Sequence, residues 1–65
     1  MQSLKVERGT VVVSFTEDEL AIVNHALNEI ANGIHFSEAE FQTRVGVPRE
    51  QVRELLAKVN ALLDE

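Results

Sequence analysis

The chain has 65 residues, six Lys and Arg against eleven Asp and Glu, two His, no Cys and no Trp, and a formal charge of −5. A chain of this size buries only about 60% of the surface its unfolded form exposes, so it needs disulfides, a metal, self-association or very regular helix packing to stay folded. The absence of Cys removes disulfides, thiolate metal sites and a Cys nucleophile together, and two His supply too few ligands for a structural metal site, which leaves self-association and good helices. The 45% apolar and 26% charged fractions are those of a globular chain. No apolar run approaches the ~20 residues that span a bilayer. Met1 to Arg8 lack the basic start and apolar centre of a signal peptide, so a cytoplasmic protein is expected. The net negative charge argues against a general polyanion binder.

The first predicted element is a β-hairpin over 4–15. Leu4, Val6, Val11, Val13 and Phe15 recur at a period of two. A two-residue turn at Arg8-Gly9 sets Val6 opposite Val11 and Leu4 opposite Val13, which gathers the apolar residues on one sheet face. Such a ribbon is marginal alone in water and has two open edges.

A helix over 17–32 follows. Thr16 is its N-cap, Glu19 closes a capping box, and Phe15 and Leu20 occupy the positions of a hydrophobic staple. Glu17, Asp18 and Glu19 lie at the positive end of the helix dipole. Leu20, Val23, Leu27, Ile30 and Ala31 form one face, with Ile22 on its less covered flank, and Gly33 is expected as a left-handed residue after the end.

The same grammar starts a second helix over 38–45, with Ser37 as N-cap, Glu40 completing the box and Phe36 stapled onto Phe41. It stops at Gly46. Pro48 fits the first turn of a third helix over 48–63, whose predicted buried stripe is Val52, Leu55, Leu56, Val59, Leu62 and Leu63. The predicted architecture is therefore mainly α: one small domain over 1–65, an N-terminal hairpin followed by three helices.

Residues 38–55 carry the most specific pattern. Phe41, Val45, Gly46, Val47, Val52 and Leu55 have the spacing of a short helix, a glycine turn and an amphipathic second helix. This stretch resembles the helix-turn-helix motif of bacterial regulators, and departs from it at Gln42, where a small residue usually lets the helices approach. The resemblance implies that Arg49 and Arg53 face outward on a reading helix with Arg44 nearby, placed for phosphates or guanine edges. Charge is divided along the chain. Residues 41–58 hold Arg44, Arg49, Arg53 and Lys58 against Glu50 and Glu54, a balance of +2, whereas 9–40 hold six acids and no Lys or Arg. The plainer reading of the same arginines is a solvated helix face or a protein-contact patch.

Asn24 and Asn28, with Asn32, recur every fourth residue on the first long helix. Asn is a poor interior helix residue, so the row calls for a role: bonding to a loop such as Ile34-His35, or recognition of a partner. His25 and His35 share no metal spacing. The acids at the two helix starts are accounted for by capping, and no nucleophile motif, phosphate loop or cofactor fingerprint is present, so neither an enzyme, a cofactor nor a small-molecule substrate is expected. Three function classes remain: a protein-interaction or regulatory accessory module, a helix-turn-helix DNA-binding regulator, and an acidic inhibitor of the immunity type. The open strand edges and small core favour a homodimer, formed through the hairpin edge or the Leu-rich face of the last helix.

Overall fold

A computed structural model describes residues 1–33 and 35–64. Strands β1 (Gln2–Glu7) and β2 (Thr10–Ser14) form an antiparallel hairpin, followed by helices α1 (Glu17–Asn28), α2 (Glu38–Val45) and α3 (Arg49–Leu63). The expected order of a hairpin and three helices is the observed one. The differences lie in register, helix ends and coverage.

The turn falls at Arg8-Gly9, with Gly9 at φ +77°, and Val6 pairs with Val11. The ladder then departs from the expected register. Lys5 pairs with Val12, but Val13 pairs with Ser3 and not with Leu4, because a bulge between Ser3 and Lys5 takes Leu4 out of the ladder. Val6, Val11 and Val13 share one face. Lys5, Glu7, Thr10 and Val12 share the other, where the Lys5 ammonium lies 2.6 Å from the Glu7 carboxylate.

Thr16 and Glu19 form a reciprocal capping box: the Glu19 N–H donates to Thr16 Oγ1 at 3.1 Å and the Thr16 N–H to Glu19 Oε1 at 3.0 Å. The α1 start is also tied to the hairpin, since the Met1 amino group donates to the other Glu19 oxygen. At the far end α1 does not close on a left-handed Gly33. It widens into a π-helical turn over Glu29–Gly33, in which Gly33 has a negative φ. The wide turn carries Ala31 into the core, where it is fully buried.

Only half of the second expected box forms. Ser37 accepts from the Glu40 N–H at 3.2 Å, but the Glu40 carboxylate accepts from Arg44 Nε at 3.1 Å, one turn further on, instead of reaching back to the cap. Gly46 ends α2 in the left-handed region at φ +93°, its N–H bonded to the Gln42 carbonyl at 2.8 Å. Pro48 is the cap residue before α3 rather than part of its first turn.

The core is small. Ala31, Phe41, Val52 and Leu56 form the buried cluster, flanked by Leu27, Ile30, Phe36 and Val47, with Val59 also buried further along α3. The stripe expected on α3 is thus only half covered: Leu55 and Leu62 are 50% and 52% exposed, and Leu63 is also exposed. α1 follows α3 as far as Asn60, to which Asn24 bonds, and covers only the side of the stripe that holds Val52, Leu56 and Val59.

Two outcomes check this description. Gly46→Val should destabilise the fold by about 1–2 kcal/mol in urea unfolding, because a branched residue is strained at positive φ. A Cβ there meets no atom within 4 Å, so the whole effect is conformational, and an unchanged midpoint would place the α2–α3 turn elsewhere. The second concerns pH. The Glu19 carboxyl is held below the usual carboxylate range, first by the Met1 amino group and then by the Thr16 N–H. A lowered folded-state value means that its contribution is present above the ordinary carboxylate range and is lost as pH falls through the lowered value. Glu19→Gln should therefore flatten that acidic part of the stability profile, as followed by circular dichroism.

Candidate functional site

The residues singled out by sequence fall into two groups, those spent inside the fold and those left on the surface. Arg49 belongs to the first. It is the opening residue of α3, and only 8% of its surface is exposed. A cation at a helix N-terminus opposes the dipole, so its burial there requires compensation. Arg49 Nη1 donates to the Ala31 carbonyl and Nη2 to the Phe36 carbonyl, both at 2.9 Å, and Nε donates to Glu38 Oε1 at 3.1 Å. The guanidinium also lies over the Phe41 ring, 4.4 Å from its centroid. One side chain thus joins the end of α1, the connector before α2, the first residue of α2 and the start of α3. The Ala31 carbonyl, in the last turn of the helix, gains a charged donor from across the fold.

Arg44 is exposed and engaged locally. It pairs with Glu40, and its guanidinium sits 4.8 Å from the Phe36 ring centroid. Arg53 is exposed and makes no hydrogen bond or ion pair with the described residues. It stands between two shallow depressions, one shared with Glu38, Glu50 and Glu54, the other with Asn32, His35 and Ser37. Of the three arginines, the fold brings Arg49 inward and keeps Arg44 and Arg53 outside, with acidic side chains interleaved.

The asparagine row is divided as well. Asn24, partly buried, donates through Nδ2 to Asn60 Oδ1 and so bridges α1 to α3. Asn28 accepts from Asn32 Nδ2 at 2.9 Å along the helix and into the π turn. The expected bond to the Ile34-His35 loop involves Ile34, which lies outside the described residues. His25 and His35 are both exposed. Among the described residues no group of His, Asp and Glu could hold a metal ion, and no helix is long and apolar enough to cross a membrane.

Much of the surface is apolar. Val6 is 72% exposed, Val11 and Leu4 are close behind, and Ile22 on α1 is 68% exposed. With Leu55, Leu62 and Leu63 on α3, the described residues carry more large apolar side chains outside than inside. Neither strand packs its backbone against a helix. Sequence periodicity located these residues correctly as apolar faces and missed that they stand exposed among the described residues. The available signal was the length of the chain: 65 residues carry two apolar faces, on the hairpin and on α3, and one long helix, α1, to cover both.

No protein-family model, curated protein or solved structure matches the chain.

The Arg49 role is directly testable. Arg49→Ala strands the Ala31 and Phe36 carbonyls, while the exposed Glu38 carboxylate stays in water, and should cost about 2–4 kcal/mol, a large share of the stability of so small a domain. Arg49→Lys should recover only part, because an ammonium cannot reproduce the planar fork. Arg53→Ala should stay within about 0.5 kcal/mol of the parent. Equal urea midpoints for the two alanine variants would show that the buried contacts of Arg49 contribute nothing.

Proposed function

We propose that this protein is a non-enzymatic protein-interaction module, a small accessory chain whose working state is an assembly. The observation that carries this reading is an excess of surface. The chain exposes 5183 Å², whereas a compact monomer of its 7.3 kDa mass exposes about 4,200 Å². Its radius of gyration is 13.3 Å, against about 11 Å for a compact chain of this length. The surplus of roughly 1,000 Å² is of the size that one partner loses in a standard interface, about 800 Å². Its composition agrees: the exposed set, on the hairpin, the α1 flank and α3, is rich in Val, Leu and Ile.

The arginines support this reading over nucleic-acid contact. Arg49 is committed to four elements of its own fold, and Arg44 and Arg53 stand among Glu40, Glu50 and Glu54, which repel phosphates. Sedimentation velocity across the micromolar range should give a species of at least twice the chain mass, and duplex DNA at low salt should leave that species unshifted. A folded monomer throughout the range would overturn the assembly reading. A salt-sensitive DNA shift would replace it with the regulator reading.

A further inference from the structure

We infer that the partner at the hairpin is a second copy of this chain, added edge to edge along β2 in an antiparallel pairing centred on Val12. The inference rests on the assembly reading above and specifies its occupant and register.

The two edges of the hairpin are unlike. The β1 edge is broken by the bulge at Leu4, and the strand carries Lys5 and Glu7. Bulges and charges are the usual protections of an edge that must stay unpaired. Strand β2, Thr10-Val11-Val12-Val13-Ser14, has neither bulge nor charge nor proline, and three consecutive β-branched valines give it the highest strand propensity in the chain. It is the unprotected edge.

The pairing pattern fixes which β2 groups are available. Glu7 and Thr10 close a two-residue turn, and the pair that closes such a turn is hydrogen-bonded. Pairs alternate along an antiparallel ladder, so Lys5 and Val12 are bonded to each other, while Val11 and Val13 direct their N–H and C=O groups away from β1. A two-fold axis at Val12 sets Val11 opposite Val13 of the second copy, Val12 opposite Val12, and Thr10 opposite Ser14. Both outward-facing residues of each copy are then satisfied, four backbone bonds in all by this pairing rule. Axes at Val11 or Val13 leave one of the two outward residues paired beyond the strand.

The sequence meets the demand of such an interface. A two-fold contact must be complementary to itself, and Thr-Val-Val-Val-Ser reads almost the same in both directions. No charge opposes a like charge across the axis. The product is a four-stranded sheet with Val6, Val11 and Val13 of both copies on one face and Lys5, Glu7, Thr10, Val12 and Ser14 on the other. A two-stranded ribbon marginal in water becomes a sheet of stable size.

The chain has no native Cys, which makes a cysteine scan clean. In this register the Val12 Cα atoms of the two copies are about 4.5 Å apart, a non-hydrogen-bonded pair within disulfide reach. The two Val11 Cα atoms are roughly 8–9 Å apart, beyond it. Under mild oxidation Val12→Cys should form a covalent dimer at least about tenfold faster than Val11→Cys. Proline variants give a second, independent reading. Val11→Pro removes an outward N–H that the hairpin does not use and should dissociate the assembly, while Val6→Pro, the same change on the β1 edge, should leave it intact. Equal cross-linking rates, or a parent that sediments as a dimer while Val12→Cys stays reduced and Val11→Pro stays dimeric, would overturn the β2 register and leave the interaction reading standing. A parent that is a folded monomer would overturn both.

Discussion

The helical half of this protein depends on one buried cation. Arg49 is the only charged side chain among the buried described residues, and its donors end on groups from three otherwise separate segments. Burying a guanidinium is costly unless its hydrogen bonds are made. Here two carbonyls, a carboxylate and an aromatic face meet it. The arrangement converts a cost into geometry: α3 can begin only where the end of α1 and the start of α2 both stand within reach of the same fork. The buried apolar cluster is too small to impose that geometry by packing alone. It consists of Ala31, Phe41, Val52 and Leu56, and Phe41 is its one large fully buried side chain.

The rest of the molecule follows from what that cluster cannot cover. Leu62 and Leu63 at the end of α3 and the flank of α1 at Ile22 remain exposed, and the hairpin is tied to the start of α1 through Met1, Thr16 and Glu19. The molecule is accordingly thin, 15 Å in its shortest dimension against 36 Å in its longest. A flat body leaves more apolar surface in water than a compact one of the same mass. The acidic charge lies outside β2. It is concentrated at the starts of α1 and α2, where capping and the dipole account for it.

Local rules read this chain well where the partner of each group is a near neighbour in sequence. The Arg8-Gly9 turn, the Thr16 box and the Gly46 stop depend on contacts within four residues, and each stands where the sequence placed it. The same reasoning faltered where a group has two possible partners. Glu40 could cap Ser37 or pair with Arg44, both three or four residues away, and it took the cation. Leu4 could continue the ladder or bulge out of it, and the hairpin bulged. Gly33 read as a left-handed stop, but the chain required a wide turn that would deliver Ala31 to the core and its carbonyl to Arg49.

The sequence by itself determined the elements, their order and the starts of α1 and α2, because hydrophobic period, capping and turn chemistry are written in short windows. It also determined that no disulfide supports the core. Only the tertiary structure decided which arginine is buried and which apolar faces are left bare. Periodicity marks a face as apolar without saying whether anything remains to cover it, and a charged residue at a helix start looks solvated until segments 11 to 18 residues away close around it. Those outcomes depend on distances across the fold, which no window along the chain contains.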